Sequence, residues 1–290
     1  MFTTLKQYIA LTKPTIMLLV LFTGSTALIV EGSLLLQPLR FALVLVGLYF
    51  TGGAANALNQ YFERDLDAQM KRTAGRRPLP MGTISPGRAL VFSIVLAVGG
   101  VAIFALYFNW LTAGLATATL LFYSLYYTLY LKPTTAQNIV IGGIAGAMAP
   151  VGAWTAATGS MALIPWVLFA IVFFWTPPHF WTLAIWCKDD YSRVGLPMLP
   201  VVRGDKYTYD QIMRYSLVVV ATSLTLVPLG FGWIYIIAAT LLGWKLVAKV
   251  HYVRRHQSET ALKSLFGYSL AYLFGLFLAV VVDDLLNWRL

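Results

Sequence analysis

Charge is scarce in this sequence. Only 11% of its 290 residues are Asp, Glu, Lys or Arg, where a soluble globular domain carries roughly 25%. With 59% apolar residues and a mean hydropathy of +0.74, there is too little polar surface to face water on every side. A soluble enzyme, a disordered chain and a DNA-binding domain are thereby excluded. Cysteine is nearly absent: Cys187 alone rules out an intrachain disulfide and any multi-cysteine metal centre. Of the three histidines, only His179 falls within an apolar stretch. Acidic residues number 11 against 21 basic ones, for a net charge of +10. In so apolar a chain the basic excess reads as the loop charge that orients a membrane protein, not as a nucleic-acid footprint. The opening stretch, Met1–Thr15, reads as neither a transit peptide nor a cleaved signal. Its first apolar run is therefore expected to remain in the membrane.

Apolar runs, by contrast, are abundant. A hydrocarbon core of about 30 Å needs roughly 20 residues of helix to cross it. Nine such segments are expected: Thr15–Val30, Phe41–Tyr61, Ala89–Tyr107, Leu111–Leu131, Asn138–Ala157, Leu163–Trp186, Tyr215–Phe231, Trp233–Val250 and Leu265–Val282. Gly230 and Gly232 divide the seventh from the eighth; were those one span, the count would be eight. The chain is thus expected to be a single all-α domain over residues 1–290, a polytopic membrane helical bundle. Placing the N-terminus inside puts every Lys and Arg except Arg40 and Arg289 on the inner side, which supports both the span count and the orientation. Trp110, Trp154 and Trp288 then fall at outer edges, as interface anchors do.

Outer connections are short, as in Phe108-Asn109-Trp110, whereas two inner ones, Phe62–Arg88 and Cys187–Arg214, are long. Both open on acidic residues at a helix end and run on to a Pro-Leu-Pro or Pro-Met-Leu-Pro turn. They lie four spans apart, a weak hint of two parallel halves plus a ninth helix.

The first acidic stretch runs Asn56-Ala57-Leu58-Asn59-Gln60-Tyr61-Phe62-Glu63-Arg64-Asp65-Leu66-Asp67. At about 100° per residue, Asn59, Glu63 and Asp67 fall near 0°, 40° and 80°, with Asn56 near 60° and Asp65 opposite, near 240°. One stripe therefore carries two carboxylates and two amides. Hard oxygen donors at this spacing suit Mg²⁺, which keeps several waters and shares its site with substrate phosphates. Arg64, Lys71, Arg72, Arg76 and Arg77 follow at once. Carboxylates for a metal beside cations for phosphate oxygens are what a diphosphate leaving group requires. Solvated charges at a helix end would explain the arginines but not Asn56 and Asn59 at the edge of an apolar span.

The second stretch includes Trp175, Pro177-Pro178-His179-Phe180, Trp186 and Lys188-Asp189-Asp190-Tyr191, with Arg193 beyond. Helical spacing from His179 puts Trp186 near −20° and Asp190 near 20°, so Asp190 is placed for a second metal contact. The proline pair is expected to kink or start the helix. A lone histidine is most often a packing residue; among Trp175, Phe180 and Trp181, His179 is also a candidate for substrate contact.

These stretches resemble the Asn/Asp-rich signature of the UbiA-type intramembrane prenyltransferases. Leu11-Thr12-Lys13-Pro14, Asn59 to Asp67 with Met70-Lys71-Arg72-Thr73 and Arg77-Pro78-Leu79-Pro80, and Pro178-His179-Phe180 to Gly195-Leu196-Pro197-Met198-Leu199-Pro200 carry the likeness. It extends over essentially the whole chain, and the last stretch points to the protohaem IX farnesyltransferase (haem O synthase) branch. The resemblance implies farnesyl transfer from farnesyl diphosphate to a vinyl group of haem B, with water added. It implies Mg²⁺ on Asn59, Glu63, Asp67 and Asp190, with Asp67, Asp190 and Lys71 central to diphosphate departure. Asn56, Arg64, Arg72, Arg76, Arg77, Trp175, His179, Lys188, Tyr191 and Arg193 would contact substrates, at the cytoplasmic ends of the second and sixth spans. A bacterial cytoplasmic membrane location follows, with membrane lipid around the chain, haem A synthase or a terminal oxidase as candidate protein partners, and no nucleic acid. Two positions depart from the family pattern: Glu63 replaces the usual Asp, and Val194 stands where a further aspartate is usual.

Three other readings compete. A prenyltransferase acting on a quinone precursor shares the first motif but not the wording around His179. An anion transporter would need polar groups at mid-membrane, and here the charges gather at one face. A haem-binding assembly factor would not need the Asn/Glu/Asp stripe.

Overall fold

The structure, a computed structural model, describes residues 2–287. Trp288 and Arg289, both placed outside by the sequence, lie beyond the described residues. Among the described residues there are helices and turns and no strand. In chain order they are α1 Phe2–Leu11, α2 Pro14–Glu31, α3 Pro38–Phe62, α4 Arg64–Gln69, α5 Lys71–Ala74, α6 Pro86–Tyr107 and α7 Trp110–Leu121. A π-helix, Phe122–Leu131, continues α7 into α8, Lys132–Thr134. There follow α9 Asn138–Ala147, α10 Ala149–Thr158, α11 Leu163–Trp186, α12 Lys188–Arg193, α13 Leu199–Leu224, a short 3₁₀ turn Val227–Leu229, α14 Trp233–His256 and α15 Glu259–Asn287.

Eight helical segments are long and apolar enough to cross a membrane: α2, α3, α6, α9 with α10, α11, α13 with its 3₁₀ turn, α14 and α15. The expected fourth span, Leu111–Leu131, is present but is not one α-helix. Its second half winds as a π-helix, with Thr128 Oγ1 donating to Tyr123 O at 2.8 Å. The expected break between the seventh and eighth spans is real, with Gly230 in the left-handed region at φ 105°. The two long inner connections are shorter than their polarity suggested. The first contains α4 and α5, and the second contains α12 and the first turns of α13, bent at Gly204. Hydropathy finds helices that are apolar all round; these polar helices lie beyond the spans and escape it.

Local chemistry sets the boundaries. Proline stands in the first turn of α2, α3, α6 and α13, where its missing N–H is no loss. Asn109 caps α7 by accepting from Thr112 N at 2.9 Å. Asp283 of α15 caps α14 from another element, its oxygens accepting from Gly232 N at 2.6 Å and Tyr235 N at 3.1 Å. Pro177 and Pro178, expected to kink or begin a helix, lie inside α11, which runs through them from Leu163 to Trp186.

Helices in lipid gain no hydrophobic drive from meeting one another, so small residues that permit close approach decide their packing. The α3–α6 contact shows this, since a Cβ on Gly100 would stand 2.7 Å from Thr51 Cγ2 and 2.9 Å from the Thr51 backbone nitrogen. Backbone cannot step aside as a flexible side chain can. Gly100→Leu is expected to lower stability by at least the 1–3 kcal/mol typical of overpacking, read as a fall in the unfolding midpoint of detergent-solubilised protein. An unchanged midpoint would mean that α3 and α6 do not meet at this position.

Candidate functional site

Beyond α3 the polypeptide keeps helical hydrogen bonding through the junction at Glu63: Glu63 N donates to Asn59 O at 3.0 Å and Asp67 N to Glu63 O at 2.8 Å. The 3.6-residue stripe therefore survives. Asn56, Asn59, Glu63 and Asp67 are all buried, and the Asp65 side chain is 85% exposed.

A buried carboxylate is stable only with partners, and here they come from three other parts of the chain. Lys13 Nζ donates to Asn59 Oδ1 at 2.7 Å, and Asn59 Nδ2 donates to Thr128 Oγ1 at 3.1 Å. Lys132 Nζ donates to Glu63 Oε1 at 2.5 Å. Arg77 donates to Asp67 and lies 3.8 Å from Glu63. Asn59 and Glu63 thus face Thr128 and Lys132 as two rungs between α3 and the segment made by the π-helix and α8. Lys13 reaches Asn59 from a left-handed backbone, φ 53°, a conformation that is costly for a side chain with a Cβ. It is held there by Asn56 Nδ2 on Thr12 O at 3.1 Å and Gln60 Nε2 on Leu11 O at 3.0 Å.

These charges shape one another. Burial, reinforced by Arg77, pulls the Lys13 ammonium down to about 7. Burial alone would raise Glu63, but Lys132, Lys13 and Arg77 together hold it below the usual carboxylate range. At Asp67 burial outweighs Arg77 and, with Glu63 alongside, leaves the carboxyl above that range.

The second acidic stretch meets the first. Arg72 N donates to Asp190 Oδ2 at 3.1 Å, and Arg193 lies 3.5 Å from Asp190 Oδ1. Tyr191 is buried, and burial raises its phenol despite Arg72 nearby. Twelve residues before Tyr191 and deeper in α11, His179 is sandwiched between Trp175 (ring centroids 4.4 Å) and Phe266 of α15 (4.3 Å).

Several expected site residues are placed differently. Asn56, expected to meet substrate, spends its amide on Thr12 O and on the Met17 sulfur. Arg64 lies over the Tyr61 ring and beside Asp65, away from the buried stripe. Lys188 is paired with Asp205 at 2.8 Å. Lys71 and Arg76 are exposed, and Arg72 and Arg77 are half-buried. Asp190, expected to share a metal with Asn59, Glu63 and Asp67, instead binds the Arg72 backbone. Among the described residues no three His, Cys, Asp or Glu side chains converge closely enough to hold a metal ion. Although α11 ends at Trp186, helical hydrogen bonding runs on through Cys187, whose N donates to Leu183 O at 2.8 Å and whose O accepts from Tyr191 N at 3.2 Å.

Lys13, Thr128 and Lys132 were not expected as site residues. Lys132 had a visible signal, being the sole basic residue between Arg88 and Lys188, but it reads equally as an orienting loop charge.

The donor set still suits Mg²⁺, which needs one or two carboxylates and takes its remaining ligands from water and phosphate. Glu63 Oε2 is buried with no hydrogen-bond partner, its nearest cation being the Arg77 guanidinium at 3.8 Å, which leaves an acceptor free for a closer ligand. Glu63, Asp67 and Asn59 are the residues that would hold the ion. Around them Lys13, Arg72, Arg77 and Lys132 leave a surplus of positive charge, suited to an anionic ligand.

A family profile, that of the UbiA prenyltransferase family, matches residues 18–279. The chain is 46% identical to the protoheme IX farnesyltransferase of Rhodopseudomonas palustris over 283 residues, covering 96% of this chain and 90% of that protein. It is 44% identical to the protein of the same name from Gloeobacter violaceus, covering 97% and 92%. Among solved structures, a UbiA homolog from Aeropyrum pernix superimposes with a TM-score of 0.71 at 20% identity, covering 96% of this chain and 98% of that one. A UbiA homolog from Archaeoglobus fulgidus bound to DMAPP and Mg²⁺ superimposes with a TM-score of 0.66 at 16% identity, covering 94% and 99%.

Lys132→Met leaves the Glu63 carboxylate buried without its nearest cation. Breaking a buried pair this way costs about 3–5 kcal/mol, and the loss is expected as a lowered unfolding midpoint. Adding Glu63→Gln in the same chain is expected to recover most of it. No recovery would show that Lys132 stabilises the protein by some route other than Glu63.

Proposed function

The chain belongs to the UbiA prenyltransferase family, and from that membership together with the site geometry we propose that it moves a farnesyl group from farnesyl diphosphate to a vinyl group of haem B, giving haem O. The observation that carries the chemistry is the meeting of the two acidic segments inside a ring of Lys13, Arg72, Arg77 and Lys132. The identity of both substrates rests on relatives 44–46% identical that are named protoheme IX farnesyltransferases.

In this reading the diphosphate enters the cationic ring at the inner ends of α3 and α11. Lys13, Arg72, Arg77 and Lys132 bind its oxygens by charge-assisted hydrogen bonds, and the exposed Lys71, Arg76 and Arg193 draw it in. Bound Mg²⁺ would supply Lewis-acid neutralisation of the departing diphosphate. Glu63, Asp67 and Asn59 fix where that charge sits, and Asp190 orients the Arg72 loop. As the C1–O bond breaks, the electron pair leaves with diphosphate. The allylic cation that remains is stabilised by neighbouring aromatic faces, an attraction of about 0.5–2 kcal/mol each. The vinyl terminal carbon bonds to C1, water takes the adjacent cationic carbon, and one proton is released. Tight burial of Asp67, Asn59 and Tyr191 limits earlier capture of the cation by water. Trp175 and His179 contact the porphyrin. The natural setting is a bacterial cytoplasmic membrane with the charged end of the bundle inside, where haem A synthase or a terminal oxidase would receive the product.

The direct test is mass spectrometry of purified protein supplied with haem B and farnesyl diphosphate, with and without Mg²⁺. A product at the mass of haem O that disappears with chelator is expected. Asp67→Asn is expected to lose at least about 10²-fold in turnover, the scale seen when one preorganised charge-stabilising group is removed, while remaining in the membrane fraction. Prenylation of a phenolic acceptor in place of haem would overturn the acceptor assignment, and undiminished turnover in Asp67→Asn would overturn the metal assignment.

A further inference from the structure

His179 sits in a stack of three near-parallel rings, with Trp175 on one face at an interplanar angle of 17° and Phe266 on the other at 23°. Its Nδ1 lies 2.7 Å from Ser269 Oγ. The same hydroxyl donates to Phe266 O at 2.7 Å, and the Ser269 carbonyl accepts from Trp175 Nε1 at 2.7 Å. One residue of α15 thus holds two rings of α11 that stand a single turn apart.

Counting protons favours one tautomer. A serine hydroxyl has one hydrogen to give, and the Phe266 carbonyl, an acceptor only, receives it. The contact with His179 is then a hydrogen bond only if Nδ1 carries the proton and donates to Oγ. The lone pair is left on Nε2, to which no described residue is hydrogen-bonded. His179 is only 6% exposed, yet Nε2 is not among the fully buried atoms that lack a partner, so it keeps some accessible surface. Both ring faces are covered, so what remains open is the in-plane direction from Nε2. A metal bonds to imidazole along that direction.

We propose that Ser269 is a positioning residue that fixes His179 as the Nδ1–H tautomer, so that Nε2 ligates the iron of the porphyrin acceptor and sets how the vinyl group meets the prenyl donor. This rests on haem as the acceptor. A second partner on the distal imidazole nitrogen is the usual device for orienting a metal-bound histidine and raising its basicity. Trp175 and Phe266, stacked on the two faces of His179, hold the imidazole plane in place. His179 stands seven residues above the end of α11, about 10 Å along the axis. The macrocycle therefore sits deeper in the bundle than the diphosphate.

The test is titration of the detergent-purified full chain with ferric haem B, read by absorption and electron paramagnetic resonance. Mg²⁺–farnesyl diphosphate binding, followed by thermal shift, serves as the control for folding. The wild type is expected to give a histidine-ligated spectrum, and His179→Ala to lose it. Ser269→Ala is expected to bind haem about 10–100-fold more weakly, the usual cost of removing a partner from a metal-ligating histidine, with an altered spectrum. Ser269→Thr, which restores a hydroxyl, is expected to recover both. Haem farnesylation with wild-type affinity and spectrum in Ser269→Ala, or a histidine-type spectrum persisting in His179→Ala, would overturn this inference alone. Failure of the wild type to bind haem at all would overturn the acceptor assignment as well.

Discussion

Two carboxylates buried at the end of one helix organise this molecule. Glu63 and Asp67 are both nearly inaccessible, and neither tolerates that position without a counter-charge. The counter-charges arrive from separate stretches: Lys132 from the turn after the π-helix and Arg77 from the loop beyond α5. Lys13, at the α1–α2 junction, joins the group through the neighbouring Asn59. One electrostatic requirement thereby closes four parts of the chain around a single point. It also explains the conformation of Lys13, since the left-handed turn carries its ammonium to Asn59 while Asn56 and Gln60 occupy the carbonyls freed at the end of α1.

The π-helix belongs to the same arrangement. Extended π-winding is uncommon and concentrates at functional sites. Here Thr128 within it faces Asn59, and Lys132 just beyond it faces Glu63. Away from this end the bundle is held by different means: close approach at Gly100, the aromatic stack around His179, and the Asp283 cap on α14. Association in lipid has no hydrophobic term to spare, so steric fit and a few well-placed polar contacts carry the packing, while nearly all of the charge is kept at one face.

Much of this was legible in the sequence. The period of 3.6 that grouped Asn56, Asn59, Glu63 and Asp67 and excluded Asp65 is the period of burial in the structure, because α3 keeps its hydrogen bonding through Glu63. Most apolar runs became helices close to their expected limits, but the helix of the seventh, expected from Tyr215, begins at Leu199 and ends at Leu224. What was not legible depends on contacts between distant residues. A lone Lys132 in a short loop looks the same whether it orients the chain or neutralises a carboxylate 69 positions away. The π-winding leaves no periodic signal that an α-helix would not. The helical spacing from His179 could not show that the Asp190 carboxylate is taken up by Arg72 N and Arg193. The polar stretches after α3 and α11 were read as loops because hydropathy does not register short polar helices.

The separation between charged and aromatic ends has a chemical rationale. Ionising an allylic diphosphate needs strong positive charge at the leaving group, yet the carbocation it creates would be repelled by that same charge. A site that gathers its cations at the inner ends of α3 and α11, and its polarisable rings deeper along α11 and α15, holds the two apart along the membrane normal. In the proposed reaction the diphosphate is drawn toward the charged end, while the stack of Trp175, His179 and Phe266 lies deeper, beside the acceptor. Two of the three, Trp175 and His179, are tied to one residue of α15, Ser269, so their geometry is set before either substrate arrives. In a preorganised site little reorganisation remains to be done during the reaction, which is where most electrostatic catalysis originates.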